Sequence, residues 1–154
     1  MAKQRVAAKK TPSAKKVTKP AISKASIKPM TCAKIAQPIG PYTMGRVITT
    51  ASGTWGYSSG QIGMNPKGEL TGKKPGQQAR VACSNLEKLA KANGFTLADT
   101  IKTTVFLIDM GHFAEVNAEY AKFFDKNKPP RSCVAVHQLP KGALFEIEAV
   151  FFKA

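Results

Sequence analysis

The chain has 154 residues, 43% of them apolar, enough for one domain with a real core plus a tail. Its 24 Lys and Arg against 9 Asp and Glu give a net charge of +15. Residues 1–34 hold 10 of the basic residues and no acid, so the other 120 residues carry 14 basic against 9 acidic, a net +5. A domain so mildly basic gives little support for nucleic-acid binding by the folded part itself.

No stretch approaches the ~20 consecutive apolar residues of a membrane span, so no membrane partner is expected. Cys32, Cys83 and Cys133 are odd in number and widely spaced. That argues against a disulfide framework and a zinc site, and fits a reducing compartment. His112 and His137 have no ligand spacing between them, and no metal is expected.

The first segment, "MAKQRVAAKKTPSAKKVTKPAISKASIKPM", is rich in Lys, Ala, Ser, Thr and Pro. It offers too little apolar surface to offset ordering entropy, so residues 1–34 read as a disordered basic tail. Three roles compete. A targeting presequence fits the lack of acids, although Lys stands where Arg is usual and Pro12, Pro20 and Pro29 interrupt any long helix. A nuclear signal or nucleic-acid arm fits "KKTPSAKK". A solvated extension without a partner is the third. Without a continuous apolar run the segment does not resemble a secretory signal, which leaves mitochondrion or cytoplasm as the expected location.

"PIGPY" is a rigid turn entry that presents Tyr42. "RVITTASGTWGYSSGQIGM" reads as two short strands around a Gly/Ser-rich turn, and "NPKGEL" as a hairpin-type turn. "GELTGKK" is one spacer short of a phosphate loop and lacks the following Ser or Thr. Ala79, Ala82, Leu86, Leu89 and Ala90 predict a helix over about 75–93, stopped by Gly94. "TIKTTVFLID", β-branched and apolar on both faces, predicts a central strand. Phe113, Val116, Tyr120, Phe123 and Phe124 line a second helix over about 112–126, ended by "NKPP". "VAVHQL" and "FEIEAVFF" read as closing strands. The order β-β-turn-β-α-β-α-β-β, give or take one strand, predicts an α+β sandwich with both helices on one sheet face. The other face then needs a cover, which predicts self-association.

Strand alternation in "FEIEAVFF" puts Glu146 and Glu148 on one face together with Val150 and Phe152. A carboxyl among apolar neighbours has a raised pKa suited to proton transfer. The alternative is two surface glutamates on an edge strand. Arg131 is delivered to a strand start by "PP", either as a planar fork for a carboxylate or as an exposed strand-end residue. Cys133 alternates with Arg131 and so faces the same way. No activating base is signalled for its thiol, and a small buried hydrophobe is the default. Asn117 lies among apolar helix positions, as a cross-link or a ligand contact. Tyr42 is either core or site, and His137 reads as structural or surface.

Five segments, "IGPY", "SGQIGMNPKGEL", "IKTTVFLIDM", "FAEVNAEYAKFF" and "PPRSCVAVHQLPKGALFEIEAV", closely resemble the Rid (YjgF) family, its RidA subfamily in particular. The match spans about residues 35–154 and leaves out the tail. The resemblance implies a chorismate-mutase-like α+β fold, with a mixed sheet, two helices on one face and a homotrimeric barrel with clefts between subunits. It implies cofactor-free hydrolysis of reactive enamines and imines, such as 2-aminoacrylate and 2-iminobutanoate, to 2-keto acids and ammonia. The resemblance further implies that this activity would protect pyridoxal-phosphate enzymes. Carried over by position, the resemblance implies that Arg131 would bind the substrate carboxylate, Glu146 would hold water and move protons, and backbone around Cys133 would orient the substrate. Tyr42, Ser59, Gly60 and Asn117 complete the pocket. Family members described as endoribonucleases or translation inhibitors keep an RNA-associated role open, through a nucleic-acid or organelle partner of the tail, as does a ligand-binding trimer without turnover. The connection "TTASGTWGYSSGQ", which carries Trp55, is longer than usual for the family; a loop there that folded over the cleft would change substrate size or access.

Overall fold

The computed structural model describes residues 24–154. Nine principal elements follow one another: β1 (Ser26–Pro29), β2 (Gly45–Thr50), β3 (Gly53–Ser58), β4 (Gln61–Ile62), α1 (Pro75–Ala92), β5 (Thr100–Leu107), α2 (Phe113–Phe124), β6 (Arg131–Ala135) and β7 (Phe145–Lys153). The strands form one sheet in the order β1-β2-β3-β7-β5-β6, and β4 also pairs with β7. Among the described strands only the β5–β6 pair is parallel, because α2 crosses between them; the other pairs are antiparallel. No helix among the described residues is long and apolar enough to cross a membrane.

The expected helices and strands form for the reasons the sequence suggests. In α1, Ala79, Ala82, Leu86, Leu89 and Ala90 are fully buried, as their spacing requires. Pro75 opens this helix where its missing N–H costs nothing, and Gly94 follows it at φ +84, a conformation glycine adopts freely. β7 alternates strictly. Phe145, Ile147, Ala149 and Phe151 are 0–3% exposed and meet the helices, while Glu146, Glu148, Val150 and Phe152 leave the opposite face half-buried. Val105 and Leu107 of β5, and Val116, Tyr120 and Phe124 of α2, complete the core. Burying one such large apolar side chain contributes about 2 kcal/mol.

Three expectations are corrected. The tail does not run to residue 34, because β1 pairs in register with β2, from Ser26 opposite Thr49 to Pro29 opposite Arg46. Met30, Cys32 and Ile35 enter the core at 1–6% exposure. The rest of the expected tail, residues 1–23, lies outside the described residues. Trp55 is not on a loop over a cleft. It sits in β3 between Ile48 of β2 and Phe152 of β7, and β2 and β3 are joined by a tight turn at Ala51–Ser52. The strand expected to reach His137 ends at Ala135, and His137 is exposed.

No element among the described residues covers the sheet face away from the helices. Ile27, Ile48, Trp55 and Phe152 form one row across four strands of it, with Tyr57 in the next row. Ile27, Tyr57 and Val134 are 62%, 43% and 45% exposed. An apolar sheet face of this kind is what self-association would bury.

Candidate active site

Arg131 opens β6 opposite Thr103 of β5. Thr103 faces the helices at 0% exposure, so Arg131 and Cys133 also emerge on the helix side. Alternation therefore pairs them as expected. The guanidinium carbon lies 4.6 Å from the Tyr120 ring centre and 5.4 Å from that of Phe113, both on α2. Among the described residues no carboxylate lies within ion-pair distance of it. A cation held by rings keeps its donors for a ligand. The groove around it, about 440 Å3, is lined by Asn117, Tyr120, Lys128 and Pro129 among others. Asn117 is half-buried with no side-chain hydrogen bond among the described residues, which fits the ligand-contact alternative better than the cross-link. Phe113, Asn117 and Tyr120 stand at i, i+4 and i+7 and so share one helix face. That spacing was visible in sequence, although the aromatic shelf itself was not read from it.

Cys133 is half-buried beside the core. Burial pushes its thiol above the ordinary 9.0, and the Arg131 charge opposes this in part. A thiol in that state is a poor nucleophile at neutral pH, and the geometry agrees with a bystander role.

Glu146 occupies the other face. It is half-buried at the β4 end of β7, opposite Ile62 of β4 and Phe106 of β5. Burial first, and the neighbouring Glu148 carboxylate second, push its carboxyl above the ordinary 4.5. Three residues, Ser58 to Gly60, span what Glu148 and Ala149 span on β7, an inserted residue of the kind that bends a strand beside a site. Gly60 consequently lies against the Glu146 carboxyl group: a Cβ there would come within 2.6 Å of its Cδ. The pocket at this carboxylate is about 350 Å3, and Tyr42, Ser59 and Gly60 line it with Glu146. Ile39, Ile62, Met64 and Pro140 supply an apolar wall that sequence reasoning did not single out.

Tyr42 is 50% exposed on its turn, and its hydroxyl accepts from the Ile39 amide at 3.4 Å. That takes it out of the core and onto the wall of the pocket at Glu146. The Ser59 hydroxyl already donates to the Thr43 carbonyl at 2.6 Å, so its side chain holds the loop in place. Among the described residues no cluster of three or more His, Cys, Asp or Glu could hold a metal ion.

The seven expected residues thus fall into two half-sites. Arg131, Cys133 and Asn117 lie on the helix side; Glu146, Tyr42, Ser59 and Gly60 lie around the open face. Within one chain the two are separated by the sheet. Each can do half of a reaction, one gripping an anion and the other moving a proton.

The family described as Endoribonuclease L-PSP matches residues 32–152. A RutC family protein of Pyrococcus horikoshii is 40% identical over 118 residues, covering 76% of this chain and 90% of its own. The 2-iminobutanoate/2-iminopropanoate deaminase of Escherichia coli K12 is 42% identical over 118 residues, covering 73% and 87%. The crystal structure of Escherichia coli TdcF with bound serine superposes with a TM-score of 0.73 at 35% identity, covering 82% of this chain and 99% of that one. The chain belongs to the Endoribonuclease L-PSP (YjgF/RutC) family and has its chorismate-mutase-like fold.

Proposed function

We propose that the protein hydrolyses short-lived 2-imino acids, and the enamines that tautomerise to them, to 2-keto acids and ammonia. Its catalytic cleft forms between copies of a homotrimer, where Arg131 of one protomer meets Glu146 of the next. The observation that carries this reading is the pair of incomplete half-sites: a guanidinium with no acid partner among the described residues and a half-buried carboxyl with a raised pKa. Relatives named as imine deaminases and a relative crystallised with serine support a small amino- or imino-acid ligand.

Arg131 clamps the substrate carboxylate through two parallel hydrogen bonds, with the Asn117 amide and the backbone around Cys133 beside it. This fixes the electrophilic C2 relative to one water held by Glu146, and such positioning contributes several kcal/mol. The ionised Glu146 takes a proton from water as the oxygen adds to C2. That proton passes to nitrogen to give a carbinolamine; Glu146 then takes the hydroxyl proton and delivers it to the same nitrogen as the C–N bond breaks, so ammonia departs and the C2 carbonyl forms. One acid–base group serves both halves and contributes ~10²–10⁴ in rate. Removing such electrophiles would protect pyridoxal-phosphate enzymes that they inactivate.

Coupling the purified protein to a threonine dehydratase and following 2-ketobutyrate tests the reading. Accelerated release, lost in Arg131→Ala and in Glu146→Ala, is expected. Acceleration retained in either variant would overturn it, and no acceleration by the wild type would favour a ligand-binding or RNA-associated trimer.

A further inference from the structure

We propose that Tyr120 is a positioning residue for the anion-binding arginine: its ring, locked by the Thr103 hydroxyl, is the shelf that holds the Arg131 guanidinium in the groove beside Asn117. This rests on Arg131 being the carboxylate anchor.

Four observations converge. The Tyr120 ring lies closer to the guanidinium than Phe113 does, 4.6 against 5.4 Å. The Tyr120 and Thr103 hydroxyls share a buried hydrogen bond of 2.9 Å. Thr103 is also the register partner of Arg131 across β5 and β6. The side chain that fixes the ring therefore belongs to the residue beside the arginine's own backbone, and the three form a closed loop. Finally, the ring stacks on Phe124 at 4.4 Å, so it cannot swing away.

The physical reason for a ring here is competition. An acidic neighbour would also immobilise a guanidinium, but it would occupy the donors the substrate needs. An aromatic face attracts the same cation from below and leaves every in-plane N–H free. Among the described residues the one acid lining the groove, Asp125, is paired with Lys128 at 3.5 Å. An arginine held in this way loses less freedom when a carboxylate arrives, which appears as affinity.

The test is a double-mutant cycle on the full chain, with calorimetric binding of 2-ketobutyrate as the carboxylate probe. Tyr120→Leu is expected to weaken binding about tenfold when Arg131 is present and to change nothing further in Arg131→Ala, whereas Tyr120→Phe, which keeps the ring but loses the Thr103 bond, is expected to weaken it only a few-fold. In turnover the same variants are expected to raise KM while leaving kcat within about twofold. Equal weakening in both backgrounds, or wild-type affinity in Tyr120→Leu, overturns the proposal, as does a wild type that does not bind the probe. Should Tyr120→Leu fail to fold, Thr103→Val decides, since it keeps the ring but removes its lock. Binding weakened a few-fold supports the shelf, and unchanged binding overturns it. Binding that follows this pattern without imine turnover would sink the deaminase reading and leave the shelf standing.

Discussion

Arg131 and Glu146 leave opposite faces of one sheet. Arg131 is the register partner of Thr103, Thr103 pairs onward with Ala149, and Ala149 faces the helices. Glu146, three residues along the same strand, must point the other way. If the two groups act on one substrate, they come from different copies of the chain. Mixing inactive Arg131→Ala and Glu146→Ala protomers under conditions that exchange subunits should therefore restore activity. With random assortment about a quarter of the clefts carry both groups, and turnover should recover to about that share of wild type. A mixture as inactive as its parents would place both groups in a single-chain site.

Gly60 is small because Glu146 needs the space. A Cβ at that position would meet the carboxylate side chain, whereas the φ of Gly60 is not one that demands glycine. Gly60→Ala should therefore fold, with the carboxyl group displaced. Because catalysis depends on sub-ångström placement, kcat should fall about 10²-fold while the urea midpoint barely moves. Loss of stability in proportion to activity would assign Gly60 to folding alone.

The order and face of most elements were legible in the sequence because they depend on local periodicity. α1, β5 and β7 each carry an apolar repeat that needs no partner to be read. Alternation also placed Arg131 with Cys133 and Glu146 with Glu148. It could not show that the two pairs face apart, since that relation passes through the registers of β6 on β5 and of β5 on β7, which are non-local. β1 was hidden for a similar reason. "SIKP" has no alternation, and all four residues are exposed; the segment is a strand because β2 offers it an edge. The length of the connection around Trp55 suggested a loop, because a Gly/Ser-rich stretch does not show where a strand resumes; Gly53 and Gly56 lie inside it. They are strand residues instead, and added side chains would meet Phe152 and Phe95.

Glu146 titrates above 4.5 because it is half-buried and because Glu148 shares its face. Water activation needs the ionised form, so the acid limb of kcat/KM should lie above the ordinary carboxylate range. Glu148→Gln removes one of the two causes and should move that limb to lower pH, leaving the plateau near wild type. The same shift has a sign for stability. A carboxyl whose native pKa exceeds its unfolded value binds more protons when folded, so its contribution falls as pH rises from 4.5 through the raised value. Glu146→Gln should accordingly abolish turnover yet raise Tm at pH 7, with a smaller gain at pH 4. A higher gain at pH 4 would contradict the assignment.

Glu115 of α2 accepts a hydrogen bond from the Gly76 amide at 3.1 Å, in the first turn of α1. α1 has no acid of its own in that turn, so a carboxylate from the neighbouring helix meets its unpaired N–H groups and positive dipole end. Glu115→Ala should cost about 1 kcal/mol in urea unfolding, and Glu115→Gln, which keeps an acceptor but not the charge, less. Equal losses in both variants would locate the effect in packing.

The three thiols should separate by reactivity. Cys83 has no exposed surface, and burial, with Glu119 adding to it, pushes its thiol up to about 12. Cys32 is buried with its Sγ 3.7 Å from the Lys88 carbonyl, while Cys133 is half-buried on β6, two residues from Arg131 and on the same face. A thiol reagent at pH 8 should therefore label Cys133 first and Cys83 only on unfolding. Labelling should inhibit, because a bulky adduct at position 133 fills the cleft beside Arg131. Cys133→Ser, by contrast, should keep kcat/KM within a few-fold of wild type, because the proposed role of this position lies in its backbone. A loss of 10³-fold or more in Cys133→Ser would make the thiol a chemical participant, and proton transfer by Glu146 alone would no longer account for the reaction.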